Sequence, residues 1–258
     1  MDPSTFKGID FVKVDISNKG NFDKNLYRFT NEKEKIGEVE YFYRISKYPI
    51  TNKIYNRYLL ENNFTLVEQS NNFPVVNINF LDACVFCNWL TTGSNDDGTY
   101  KIVNSIPKLV SRNGYYLPNE NEWHKAAFFN PSLEKYFLYA TGSNEPPKQC
   151  NTFSLEKNLA NYLYNYRTED SLLKKNHDHT LNGKLTPVGS FLNSFSPFGT
   201  YDQNGNVWEV VDTADEFIKC IKGGSAFSSV YSLNSTFSSV CSINTRSRDI
   251  GFRVCRGF

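Results

Sequence analysis

The sequence predicts an α+β fold, and three observations support this class. Short stretches alternate apolar and polar residues, as residues 9–14 do (I-D-F-V-K-V), which predicts half-buried strands. Elsewhere apolar residues recur at intervals of three and four, which predicts amphipathic helices. Polar segments rich in Gly, Asn and Ser separate these elements. A chain of 258 residues could form one large domain or two small ones, and no repeat, low-complexity linker or charge run divides it.

The first elements are two strands and a helix. Residues 9–14 and 39–47 predict strands at the two ends of a polar loop. Thr51 or Asn52 is placed to cap a helix whose buried face carries Tyr55, Tyr58 and Leu59.

A second helix is expected to begin near Asn79 or Phe80 and to pack through apolar residues up to Leu90. Cys84 and Cys87 lie three positions apart on it, so they share neighbouring faces without being able to form an unstrained disulfide. Half of a metal site is the alternative, but the sequence has no second Cys-x-x-Cys, which favours packing residues.

Residues 92–112 predict a surface excursion with one short strand at residues 100–103. Asn119 then predicts the cap of a third helix that carries Glu122, Trp123, Ala126 and Ala127. His124, next to the tryptophan, is expected to be a surface or packing residue. Two further strands are expected at residues 207–210 and 252–254.

Composition limits the classes of partner. With 40% hydrophobic residues and a net charge of +1, the chain has material for a core and no overall field for nucleic acid or anionic membrane, and neither partner is expected. Residues 1–7 lack a basic and apolar leader, and no apolar run reaches the ~20 residues of a membrane span. We expect a soluble protein, cytoplasmic or virion-associated, whose six cysteines are free thiols.

The richest stretch is residues 199–210, G-T-Y-D-Q-N-G-N-V-W-E-V. Its glycines permit tight turns and its carboxylates and amides supply oxygens, a combination that suits a hard cation such as calcium. An Asn-Gly turn followed by a half-buried strand explains the same residues, and spacing alone does not separate the two.

This stretch resembles the signature of the formylglycine-generating enzyme (sulfatase-modifying factor) family. The resemblance continues in order through blocks at residues 48–52 (Y-P-I-T-N), 73–77 (F-P-V-V-N), 116–123 (Y-L-P-N-E-N-E-W), 186–190 (T-P-V-G-S), 222–225 (K-G-G-S) and 251–253 (G-F-R). It implies one C-type-lectin-like domain over residues 8–256, with Trp123 buried against the core. It also implies calcium held by the Asp202 and Glu209 carboxylates, the Gly205 and Val207 carbonyls, the Asn161 side chain and the Tyr162 carbonyl.

The catalytic residues of that family are missing. Its enzymes carry two copper-binding cysteines three and eight residues after the serine of Gly-Gly-Ser, where this chain has Ser228 and Leu233. A hydroxyl is a poor copper(I) ligand and leucine is none, so no copper and no catalytic residue are expected. The pair His177 and His179 suggests iron or zinc, but its Lys-rich surroundings are typical of a solvated loop.

Two hypotheses of function follow. The first is a non-catalytic lectin-like binding module for a protein or glycan. It resembles a subgroup that lacks the copper cysteines and has an often Asn-rich span before Gly-Phe-Arg, and related proteins diversify this span by adenine-directed retroelement mutagenesis. Its expected recognition residues are Phe227, Ser229, Tyr231, Asn234, Thr236, Phe237, Asn244, Arg246 and Arg248. The alternative is a divergent formylglycine-generating or related oxidoreductase with other ligands. Oligomeric state cannot be inferred.

Overall fold

The computed structural model describes residues 5–6, 8–15, 36–163 and 184–257, in which three helices and many short strands alternate with irregular loops. The helices are α1 (Asn52–Glu61), α2 (Phe80–Thr92) and α3 (Glu120–Phe128). The strands are β1 (Thr5–Phe6), β2 (Ile9–Val14), β3 (Tyr43–Ser46), β4 (Tyr100–Val103), β5 (Ile106–Leu109), β6 (Tyr115–Tyr116), β7 (Phe129–Asn130), β8 (Lys135–Tyr136), β9 (Lys148–Gln149), β10 (Ser154–Lys157), β11 (Leu159–Ala160), β12 (Phe191–Asn193), β13 (Trp208–Val211), β14 (Ile218–Lys222), β15 (Ser239–Ser242), β16 (Ile250–Gly251) and β17 (Cys255–Arg256).

Two of the helices begin where their local signals predict. Asn79 caps α2 by accepting a hydrogen bond from the Asp82 N–H at 2.9 Å, and the Asp82 carboxylate accepts one from the Asn79 N–H. Asn119 and Glu122 make the same reciprocal pair at the start of α3. Each pair satisfies amide groups that have no partner within the helix. At α1, Thr51 occupies the cap position, but its side chain makes no capping hydrogen bond.

The strands form two main sheets. One has the order β1-β2-β3-β17-β6 and the other β15-β14-β13-β16, in which β13 and β16 are parallel. The strands predicted at residues 9–14 and 100–103 are confirmed to the residue. The second of them, β4, pairs with β5 in an antiparallel hairpin. The strand expected over residues 39–47 covers only Tyr43–Ser46.

The expected strand at residues 252–254 is wrong. These residues join β16 of the smaller sheet to β17 of the larger one, and their carbonyls accept single hydrogen bonds from Ile50 and Ser46 instead of forming a ladder. The chain changes sheets here, so Arg253 lies between the two sheets and is fully buried. The strand expected at 207–210 is displaced by one residue.

The main core lies between the larger sheet and the first two helices. Tyr55, Phe86 and Phe252 meet there, with ring centroids 5.2 to 6.4 Å apart. Cys84 and Cys87 are fully buried free thiols, as the packing interpretation requires. Among the described residues, no helix has the length and apolar character needed to cross a membrane.

Candidate functional site

The loop of residues 199–210 folds as a tight, buried turn against a second segment. Asp202 and Asn206 adopt left-handed backbone angles (φ 59° and 63°). Gly205 lies so close to Asn161 that a Cβ at Gly205 would meet the Asn161 carbonyl oxygen at 2.2 Å. The Asn206 N–H donates to the same oxygen at 2.7 Å. The two segments from which calcium ligands are expected are therefore neighbours in the fold.

Glu209 has a different partner from the expected cation. Arg253 donates to both of its carboxylate oxygens, from Nε to Oε2 and from Nη2 to Oε1 at 2.7 Å. The Trp123 indole donates to Oε2 at 2.6 Å. All three side chains are fully buried. The guanidinium already compensates this carboxylate, so Glu209 does not fit the role of calcium ligand while these bonds are intact.

Asp202 fits the role better. Its Oδ2 accepts a hydrogen bond from the Gly189 N–H at 2.7 Å, and the side chain is 9% exposed. Burial raises the pKa of Asp202 to about 6, although the Gly189 amide and the charge of Arg253 oppose the shift. A carboxylate that is costly to ionise in this environment is one that a bound cation would stabilise.

The other expected calcium ligands are buried and partly engaged. The Asn161 amide nitrogen donates to the Lys184 carbonyl at 2.8 Å, and the Tyr162 carbonyl accepts from Gln149 at 2.6 Å. Gly205 and Val207 are buried in the turn itself. Nowhere in the described part of the chain do three His, Cys, Asp or Glu side chains form a group that could hold a metal ion. Any ion here would depend on Asp202, amide oxygens and backbone carbonyls.

The two positions of the missing copper cysteines carry a polar network and an apolar contact. The Ser228 hydroxyl accepts from the Ser225 N–H at 3.0 Å and lies 3.1 Å from the Ser225 hydroxyl, which donates to Asp249 at 2.8 Å. Leu233 is fully buried in a cluster with Tyr139, Ala160 and Tyr162. Neither position offers a thiolate. Cys241 lies in β15 and Cys255 in β17, each in a different sheet.

None of the nine expected recognition residues is buried. Tyr231, Thr236, Phe237, Asn244, Arg246 and Arg248 are exposed, and the remaining three, Phe227, Ser229 and Asn234, are half-buried. Residues 226–249 contain all nine, and we call them the recognition segment after this expectation. Its path includes a 3-10 turn at Val230–Leu233 and the edge strand β15.

Two histidine predictions have different outcomes. His124 is fully buried and packs between Phe128 and Tyr136, with ring centroids 4.8 and 5.4 Å away, which agrees with a packing role. His177 and His179 lie outside the described residues.

The comparisons with known proteins agree on the fold. Residues 18–258 match the family model of the sulfatase-modifying factor enzyme 1-like domain. Among solved structures, CarF superposes with a TM-score of 0.69 at 21% identity and covers 98% of this chain and 100% of its own. PvdO from Pseudomonas aeruginosa gives 0.59 at 17% identity, covering 99% and 97%. Treponema denticola variable protein 1 gives 0.60 at 19%, covering 96% and 95%. No curated protein matches the sequence significantly.

Proposed function

The chain belongs to the family of the sulfatase-modifying factor enzyme 1-like domain, and from this premise we propose that it is a non-catalytic binding protein that recognises a protein or glycan through the recognition segment. The observation that carries the proposal is the contrast within residues 225–249. The positions that would ligate copper are a hydrogen-bonded serine and a buried leucine, whereas the candidate recognition side chains all reach solvent.

Aromatic and cationic side chains of the segment are held against neighbours while they stay accessible. Phe237, 39% exposed, packs against Trp208 with ring centroids 6.1 Å apart. The Arg248 guanidinium lies over the Phe227 ring at 4.3 Å. Side chains that are already ordered lose less conformational entropy on binding, which favours their use in recognition.

The backbone of the segment is anchored from outside. The Asn204 amide donates to the Leu233 carbonyl at 2.7 Å, and the Ser235 N–H donates to the Leu138 carbonyl at 2.8 Å. At the end of the segment, the Asp249 carboxylate accepts a hydrogen bond from the Ser225 hydroxyl. These bonds do not involve the exposed side chains, so those side chains can change without loss of the backbone path. Such tolerance fits a segment diversified in evolution.

Calcium binding beside the recognition segment belongs to the same proposal, with Asp202 as its carboxylate ligand and the Asn161 side chain and the Gly205, Val207 and Tyr162 carbonyls as the remaining candidates. Its support is the oxygen-rich composition of the turn and the cost of ionising buried Asp202. Calcium would contribute stability, and no chemical step is assigned to it.

The wild-type protein is first used to select binding peptides from a displayed library and binding glycans from an array. Binders are then measured on a variant with Tyr231→Ala, Phe237→Ala and Arg246→Ala. A matched control replaces Phe153, Leu155 and Arg57, which are also exposed, with alanine. We expect both variants to keep the wild-type melting temperature within a few degrees, and only the first to lose binding. Normal binding by the first variant would locate recognition elsewhere.

A further inference from the structure

A pocket of about 470 Å3 lies between α1 and α2, next to the recognition segment. Its walls are aromatic and aliphatic, with Tyr55 and Tyr58 from α1, Val85 from α2, and Phe64 and Val67 from the loop after α1. This size falls in the ~300–1,000 Å3 range of ligand pockets, which are mostly apolar with a few polar groups. Arg246 of the recognition segment also lines it.

Two tyrosine hydroxyls of this pocket have no hydrogen-bond partner among the described residues. Tyr55 and Tyr58 are only 6% and 5% exposed, and their rings pack against Phe86 at 5.2 and 5.5 Å. Neither hydroxyl bonds to a described residue, yet neither is sealed from solvent. Polar groups of buried residues normally find partners, and each hydroxyl can both donate and accept.

Asp82, another lining residue, lies near both hydroxyls. Burial, reinforced by the charge of Asp82, raises the pKa of Tyr58 to about 12, and the same two causes raise the pKa of Tyr55. Both phenols therefore stay protonated over the ordinary pH range. Tyr55, Tyr58 and Asp82 all line the same pocket.

Arg246 adds a donor at the mouth of the pocket. Its Nη1 donates to the Asn77 carbonyl and its Nη2 to Asp82 Oδ1, both at 3.0 Å, which holds the guanidinium in place. The Nε–H has no partner among the described residues, and the side chain is 51% exposed. A rigid guanidinium with a free N–H is suited to a carbonyl oxygen.

The geometry points to a binding site for one large apolar side chain of a protein partner, with the backbone amide of that residue bonded to the Tyr55 and Tyr58 hydroxyls and to Arg246. A peptide residue supplies an apolar group and amide groups together, which is what this pocket complements. The inference rests on the proposed function for the existence of the partner. Because Arg246 belongs to both surfaces, one protein can cover the pocket and the recognition segment together. A side chain in a desolvated aromatic pocket is the usual form of an interface hot spot.

N-acetyl-tryptophanamide is the probe for this site, because it combines a large apolar side chain with two amides. Its binding is measured by saturation-transfer NMR on wild type, on Val85→Trp, which fills the pocket, and on Val103→Trp, the same change at a position in β4 that is 53% exposed. We expect saturable binding to wild type and to Val103→Trp, and at least tenfold weaker binding to Val85→Trp. Absence of binding to wild type, or equal binding by all three, would overturn the site.

Tyr58→Phe keeps the ring and removes one hydroxyl, so it tests the polar part of the site without disturbing packing. We expect severalfold weaker binding of the probe at an unchanged melting temperature, and unchanged affinity would refute the role of the hydroxyl. Peptides selected on the wild type separate this inference from the proposed function. If the selected peptides lose affinity for the alanine triple variant but N-acetyl-tryptophanamide binds none of the proteins, the pocket assignment fails and the role of the recognition segment stands.

Discussion

Replacing Arg253 with methionine should be among the most destabilising single changes in this protein. The substitution keeps an apolar chain of similar length but removes the cation from between the two sheets. Glu209 would then be a buried carboxylate with one remaining donor among the described residues, the Trp123 indole. The carbonyls of Ser46 and Tyr201, which accept from Arg253 at 2.9 and 2.8 Å, would also lose their partner.

The size of the effect follows from these contacts. Removing one partner of a buried ion pair costs about 3–5 kcal/mol, because the other charge stays buried without compensation. Folded domains have about 5–15 kcal/mol of stability in total, so Arg253→Met should remove about a fifth of it or more. For a chain of this size, each kcal/mol lowers the melting temperature by roughly 2–4 °C.

The assay is urea unfolding of four proteins at pH 7, namely wild type, Arg253→Met, Glu209→Gln and the double variant. Since the double variant has no unpaired buried charge, its loss should be smaller than the sum of the single losses by about 1–3 kcal/mol. Strict additivity, or a loss below about 1 kcal/mol for Arg253→Met, would refute the reasoning. Repeating Glu209→Gln with calcium and with chelator should give equal losses, because the carboxylate is bound by Arg253; a loss seen only in calcium would restore it as a ligand.

Three further predictions concern metals and helix capping. Copper(I) titration should find no paired-thiolate site, because Ser228 and Leu233 replace the cysteines; stoichiometric copper that disappears when Cys241 is mutated would contradict this. Asp202→Ala should lower the melting temperature more in calcium than in chelator, and an equal drop in both would leave only a structural turn. Asn119→Ala removes the cap of α3 and should cost about 1 kcal/mol by urea unfolding, so unchanged stability would show that the cap contributes nothing.

Local signals in the sequence were sufficient for the helices. The Asn79 and Asn119 caps and the apolar spacing that follows each of them act within a few residues, so the starts of α2 and α3 could be predicted closely. Short strands such as β7 and β8 have too few residues to show a period, and they were missed. Residues 252–254 alternate like a strand, but they connect β16 in one sheet to β17 in the other. The local pattern carries no information about where the two sheets lie, so it could not predict this connection.

The site was predicted in part for the same reason. Composition identified the turn at 199–210 as an oxygen-rich structure, and Asn161 does lie against it. It could not identify the cation that compensates Glu209, because Arg253 is 44 residues away and no local spacing connects the two. Arg253 stands between two apolar neighbours, and this alternation is typical of a half-buried strand with the arginine in solvent, so the sequence carried no signal of a buried pair.

Leu233, at one of the two positions where the family's enzymes carry a copper-binding cysteine, has a packing role in this structure. Its Cδ1 lies 2.8 Å from the place a Cβ would take at Gly224, whose φ of +74° suits glycine, so the leucine packs directly on the Gly-Gly-Ser turn. It also contacts the Tyr139, Ala160 and Tyr162 cluster, and it is fully buried. A cysteine here would fill less of the space than leucine does. Replacing a buried leucine with alanine costs about 2–5 kcal/mol, and replacing it with the larger cysteine should cost less. Placing a cysteine at 233 would therefore weaken the packing between Leu233 and the Gly-Gly-Ser turn, and a Leu233→Cys variant should unfold at a lower urea concentration than wild type.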